Sequence, residues 1–375
     1  MKSWINAWIV PGAVFQSVTV GGGYGTGREV VEFISRFGPW GGLAAVLLIG
    51  ALMGLVLAIA FDFARCFQLQ DYRAYGKALI GRFWVLYEVG FMISLVLILA
   101  IAGSAAGEVL QNSFGVPAGI GVGLMLLIIA VLNYSGREWV EATLTFWGVL
   151  MSLLFVTIVV LTVSFQGEQI AATFRAAQLD LSGSWWRGGF QFFLYTVALA
   201  PTVIYATDHI ESRRQAWGAG LIAGGLTILP GLTFHLTFMA GYPEVLGQSV
   251  PTYWILQQLG LPVLLLIYVL VLFGTIAQTG AGMLQGLNER LDSWWLEIKG
   301  RPLKPRIHSS IAIVAVLLSL LLAKLGIVTL VAKGYGSLAW GSLVTFVVPL
   351  LTIGVWKMRQ QRIAFDAAPV NASNK

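Results

Sequence analysis

Long apolar runs separated by short polar, glycine- or proline-marked breaks recur along the whole chain. Each run is about as long as the roughly 18–20 residues that cross a hydrocarbon core of about 30 Å. The pattern predicts ten membrane spans, at 6–37, 40–65, 83–111, 116–134, 138–165, 187–208, 215–240, 261–290, 308–326 and 336–357. Backbone polar groups have no water to turn to inside lipid, so every span is expected to be helical. The fold class is therefore an all-α polytopic membrane protein. Between spans seven and eight, YPEVLGQSVPTYWILQQLG is too polar to cross and is predicted to form a short surface helix. Five spans fall in residues 1–167 and five in 184–358, with a tail at 359–375 expected on the cytoplasmic side. An odd number of spans per half places the halves in opposite orientations within one membrane domain, which is the arithmetic of an inverted repeat.

Composition agrees with that pattern. The 375 residues are 57% hydrophobic and 11% charged, with a mean hydropathy of +0.81. Soluble domains carry about 25% charged residues. In a soluble chain the net charge of +6 would suggest nucleic acid. Here the basic residues stand in loops between spans, where they set orientation, and no nucleic-acid partner is expected. With the N-terminus placed inside, most of the 23 Lys and Arg residues fall on the cytoplasmic side, and Arg36, Arg175, Arg187, Lys324 and Lys333 fall outside. Both termini are thus expected in the cytoplasm. The single cysteine, Cys66, has no partner within the chain for a disulfide or a thiolate metal site.

Two spans are interrupted. Span one contains VGGGYGTGRE, in which Gly21, Gly22, Gly23, Gly25 and Gly27 allow the helix to unwind. Span six contains YTVALAPTV, in which Pro201 has no N–H to give the Val197 carbonyl. Interruptions at matching positions of two halves point to a transport site. The segment restarting at Thr26 or Gly27 would present amides to an anion. Carbonyls near Val20 and Gly21 would face a small cation, with hydroxyl oxygens from Thr275 and Thr279 of span eight completing the shell. Those two threonines could equally bond back to their own helix.

Arg28 and Glu29 stand out as charges deep in an apolar chain, a pattern that marks function by default. Counted along a straight helix from residue 5, Arg28 lies roughly 35 Å on, at the outer headgroups. Arg28, Glu32 and Arg36 also stand four residues apart, so they either serve a bound carboxylate or form an ion-pair ladder. His235 has no carboxylate near it in sequence and reads as a packing residue ahead of a proton relay. Motifs for metalloprotease, nucleophile-elbow, P-loop or paired-histidine metal chemistry are absent from the sequence, so no enzyme and no cofactor is expected.

GGGYGTGREVVEFISRFGPWG resembles the first-helix motif of the YkvI-type membrane proteins, a group in the amino acid–polyamine–organocation superfamily. FLYTVALAPTVIYATDHIESRRQAWGAGLIAGG is similar to that group's sixth helix and the basic turn after it. The resemblance implies a LeuT-like fold of five-plus-five inverted repeats, with the substrate between interrupted helices one and six. It places Gly21, Gly22, Gly23, Tyr24, Gly25, Thr26, Gly27, Arg28 and Glu29 in the first half of the site, and Tyr195, Thr196, Ala198 and Pro201 in the second. Proton-coupled relatives often carry a lysine in the fifth helix, and span five has none. The function implied is cation-coupled symport of a small polar solute such as an amino acid, with Na+ ahead of H+, in a bacterial-type inner membrane. A channel or a non-transporting membrane sensor would share the same pattern.

Overall fold

The computed structural model describes residues 2–19, 22–134, 137–179, 181–300 and 305–366, and every regular element among them is helical. In chain order the α-helices are α1 Lys2–Trp8, α2 Val10–Thr19, α3 Gly22–Gly25, α4 Arg28–Phe33, α5 Gly38–Phe67, α6 Tyr72–Ile80, α7 Trp84–Phe114, α8 Ala118–Tyr134 and α9 Arg137–Ala176. They continue with α10 Trp185–Val197, α11 Arg213–Phe238, α12 Pro251–Gln258, α13 Pro262–Lys299, α14 Pro305–Ala323, α15 Ile327–Thr329, α16 Gly336–Ser342 and α17 Val355–Asp366. Among the described residues, six stretches are long and apolar enough to cross a membrane. A seventh results if α10 and the 3₁₀ segment Ala200–Thr207, bent by 56° from one another, make one span.

The predicted first span, 6–37, is the piecewise run α1 to α4, closed by a 3₁₀ turn at Ser35–Phe37. The sixth is the bent pair. The tenth begins earlier than expected, at Ile327, and runs through π-helical turns at Leu330–Tyr335, Leu343–Val347 and Leu350–Gly354. Gly326, at φ 77°, starts it, so Lys333 belongs to this helical run and not to a loop. An amphipathic helix that the hydropathy pattern did not reveal, α6, sits between spans two and three. The Asp71 carboxylate caps it by accepting from the amides of Arg73 at 2.9 Å and Ala74 at 2.8 Å.

Lipid tails are as apolar as leucine, so helices here associate through close packing. The α5–α11 seam shows the means. A Cβ on Gly224 would stand 2.5 Å from the Gly54 nitrogen, and one on Gly220 would stand 2.2 Å from the Ala58 nitrogen. Only small residues let the two backbones approach so closely. Gly280 makes room for the Ile129 side chain of α8, whereas a Cβ on Gly286 would meet nothing within 4 Å.

Two buried apolar clusters follow from this packing. One gathers Phe15, Met53, Leu57, Phe61, Phe193, Ala219 and Ala223 from α2, α5, α10 and α11. The other gathers residues of α7, α8, α9 and α13, such as Leu99, Ile101, Met125, Ile158 and Leu272, together with the α3–α4 break. Tyr195 packs against both.

Candidate functional site

Gly27 is the pivot of the first interruption. Its φ of 79° lies where residues with a Cβ are strained, and α4 restarts immediately after it. The carbonyls exposed by the break are taken up one by one. Tyr24 accepts from the Gly27 amide at 2.9 Å, Gly25 from the Tyr268 hydroxyl at 3.0 Å, and Thr26 from the Thr252 amide at 3.1 Å. The Arg28 amide donates to the Thr26 hydroxyl at 3.2 Å. Of the Thr26 and Gly27 amides expected to receive an anion, that of Gly27 is therefore engaged within the chain.

Thr252 and Tyr268 carry no signal in the sequence. They come from the stretch expected to be a surface helix and from the helix after it. That stretch does form a short helix, α12, but Pro251, Thr252, Tyr253, Ile255 and Leu256 are buried against the break. Its position is a correction to the surface assignment. The polar residues that disqualified it as a span serve as partners for freed backbone groups.

Arg28 is held by the same region. Its guanidinium donates to the carbonyls of Leu246 and Gln248, both at 3.0 Å, and pairs with Glu32 at 2.9 Å. Glu32 in turn pairs with Arg36. Of the two roles open to Arg28, the structure realises the ladder. It is extended into a strut that ties the first span to the loop before α12.

Glu29 is the contrasting charge. It is 5% exposed, and the one hydrogen bond recorded for it among the described residues comes from the Tyr195 hydroxyl at 2.6 Å. This bond joins the two interrupted spans. Around it stands an aromatic wall: Tyr335 stacks on Tyr195 with centroids 4.6 Å apart and planes 6° apart, and Phe192 and Phe33 lie 5.2 and 5.5 Å from Tyr195. Tyr24 contacts Phe192 edge-on at 6.2 Å. Tyr335 closes a π-helical turn, a local widening that recurs at functional positions. A tyrosine between two glycines in GYG was the available clue to Tyr335, but nothing in the sequence joined it to Tyr195.

The second interruption has the expected cause. After α10, the amides of Ala198 and Leu199 both turn back to the Thr196 carbonyl, and the Ala198 carbonyl accepts from the Tyr87 hydroxyl at 2.9 Å. Pro201 opens the 3₁₀ segment. Two buried hydroxyls, Tyr24 Oη of the first break and Thr196 Oγ1 near the end of α10, have no hydrogen-bond partner among the described residues. Such atoms are rare in a settled interior.

Other candidates divide plainly. Thr275 and Thr279 donate to the carbonyls one turn back, Val271 at 2.7 Å and Thr275 at 2.8 Å, so the self-bonded arrangement is the one present. Val20 and Gly21 lie outside the described residues, and the side-chain surroundings of positions 22 and 23 do too. His235 is fully buried, with one ring nitrogen 3.0 Å from the Ser35 hydroxyl and the other 2.9 Å from the Pro39 carbonyl. Gly42 makes room for its ring. Both ring nitrogens are thus used in packing α11 against the start of α5. Among the described residues, no group of three or more His, Cys, Asp or Glu is gathered for a metal.

A cavity of about 400 Å³ opens elsewhere, lined by Leu110, Phe114, Ile128, Trp147, Phe273 and Gln278. So apolar a lining offers little to a polar solute. At the far end of α5, a 30-residue helix about 45 Å long, Asp62 pairs with Arg65 at 2.7 Å and Arg213 at 3.5 Å. The bundle is therefore tied by charge at both ends.

No family model matches the chain. It is similar to the uncharacterized membrane protein YkvI of Bacillus subtilis (strain 168), at 23% identity over 294 residues, covering 77% of this chain and 82% of that protein. Among solved structures it is similar to a Na+-coupled sialic acid symporter in a substrate-bound outward-open state, with a TM-score of 0.66 and 14% identity over 93% of this chain and 79% of the other. MhsT in complex with L-phenylalanine gives 0.61 and 15%, over 92% and 88% of the two chains. Mhp1 in its inward-facing conformation gives 0.61 and 12%, over 89% and 72%. The LeuT-like helical fold is thereby shown.

Proposed function

We propose that this chain is a secondary active transporter, a cation-coupled symporter of a small polar organic solute of amino-acid or amine type. It works by alternating access in a ten-span, five-plus-five arrangement with both termini in the cytoplasm of a bacterial-type cell. The observation that carries the reading is the hydrogen bond between Glu29 and Tyr195 at 2.6 Å, because it brings a buried carboxylate and both interrupted spans to one place. Buried charge at a junction of broken helices is costly unless it is used. Likeness to a Na+-coupled symporter, to a phenylalanine-bound protein and to Mhp1 supports the same conclusion.

In this mechanism Glu29, Tyr195, Tyr24 and Thr196 face the solute. The break at Gly27 and the turn from Ala198 to Pro201 supply the hinges. Spans one, two, six and seven rock as one body against the remaining spans. The Arg28 strut and the Asp62–Arg213 pair close opposite ends and must open in turn. The coupling ion is Na+ ahead of H+. Carbonyls at Val20 and Gly21 with the oxygens of Thr275 and Thr279 are its proposed seat, since a hydroxyl that donates still has a lone pair to offer a cation.

Uptake into proteoliposomes tests the reading, using pooled radiolabelled amino acids and amines under an imposed Na+ or H+ gradient. Saturable uptake that collapses with the gradient is expected. Non-saturating flux indifferent to the gradient would make the protein a channel, and no flux would leave it a binding or assembly protein.

A further inference from the structure

We infer that the site recognises its solute by an ammonium group, and that a carboxylate on the solute is dispensable. This rests on the transport reading and deepens it.

The two charges of the first break have been given opposite fates by the fold. Arg28, the cation that could hold a solute carboxylate, gives its two terminal nitrogens to Leu246, Gln248 and Glu32, and its Nε has no partner among the described residues. The amides of Gly27 and Arg28 are engaged with Tyr24 and Thr26. The positive charge at the restart is thus already paired with Glu32. Glu29 is in the reverse position: among the described residues no lysine, arginine or histidine forms an ion pair with it, and its recorded partner is the neutral Tyr195 hydroxyl. A carboxylate so buried needs a positive partner or a proton.

The walls around it suit the first of these. The faces of Tyr195 and Tyr335 are stacked beside it, Phe33 and Phe192 flank Tyr195, and aromatic faces attract cations by their quadrupoles. The Tyr24 hydroxyl, without a hydrogen-bond partner among the described residues, can accept from an N–H group. An organic ammonium satisfies the carboxylate and the rings together. A solute carboxylate would meet the Glu29 charge and an Arg28 whose charge is already paired with Glu32.

The experiment uses the full chain in lipid nanodiscs and two matched triplets of probes. These are leucine, isopentylamine and 4-methylpentanoate, and phenylalanine, phenethylamine and 3-phenylpropanoate. Thermal stabilisation and titrated affinity are read for each. The expected result is binding by the amines, with or without their carboxylate, and none by the acids. Glu29→Gln should weaken amine binding at least tenfold, and Tyr335→Leu by severalfold. The melting temperature of each ligand-free variant shows that it has folded, and Glu29→Asp provides a folded carboxylate control should the glutamine variant fail.

Binding by the acids but not the amines would overturn the inference and leave solute transport standing. Equal amine affinity in wild type and Glu29→Gln would also overturn it, leaving Glu29 as a carrier of the coupling proton. Binding by none of the six would overturn both the inference and the amino-acid or amine reading on which it rests.

Discussion

At the scale of single residues, neighbouring positions in the first break have been committed to different tasks. Gly27 is required by its dihedral angle and by its surroundings, since a Cβ there would lie 2.4 Å from the Phe238 ring and 2.7 Å from the Thr252 hydroxyl. Gly27→Ala should lower stability by about 1–3 kcal/mol, from backbone strain and overpacking together, and should abolish uptake. A thermal melt and a transport assay of the same preparation check this. Arg28→Gln should cost about 2 kcal/mol or more, because the Leu246 and Gln248 carbonyls lose their donor and Glu32 keeps only Arg36. A melting temperature equal to wild type would remove the strut from the account. The i, i+4 spacing of Arg28, Glu32 and Arg36 was legible in the sequence. Its continuation to Leu246 and Gln248, more than 200 residues away, was not, because backbone carbonyls leave no compositional trace.

At the scale of elements, the helices are interrupted where local chemistry asks for it and joined where small residues permit it. Pro201→Ala returns an N–H to the Val197 carbonyl and should partly straighten the 56° bend between α10 and the 3₁₀ segment. Uptake is expected to fall severalfold while the melting temperature holds or rises. An unchanged rate would mean that the bend is kept by the Tyr87 hydroxyl on the Ala198 carbonyl. At the α5–α11 seam, Gly224→Leu should prevent folding altogether. Its first carbon would already overlap the Gly54 backbone, which no rotamer can relieve. Loss of the monodisperse peak in detergent chromatography is the readout. The glycines and proline behind both features are visible in the sequence, but which glycines face a partner is not. Gly224 and Gly286 look alike in the chain, and only the former touches a neighbouring backbone.

At the scale of the molecule, two apolar clusters meet along a line that passes through Tyr195, and charged ties close the bundle at either end of α5. Alternating access requires the first break and α12 to separate during the cycle. The backbones of Thr26 and Thr252 are in contact, with N–H to carbonyl at 3.1 Å, so a cysteine pair at these positions is near enough for a disulfide. In a chain whose native Cys66 has been replaced by serine, oxidation of that pair should arrest uptake, and reduction should restore it. Continued uptake in the cross-linked protein would show that α12 does not move.

The apolar helical character of the chain, the two interruptions and the presence of Glu29 in the first of them were determined by the sequence alone. Each depends on local chemistry: apolar length, a missing N–H, glycine's free dihedral angles, the cost of charge in lipid. Tertiary structure decided what those features meet. It buried α12 against the first break, tied Arg28 to the loop before α12, and brought Tyr335 from a π-helical turn onto Tyr195 beside Glu29. These pairings join residues more than a hundred positions apart. Hydropathy is a property of a window, whereas the partner of a buried charge is settled by how the helices cross.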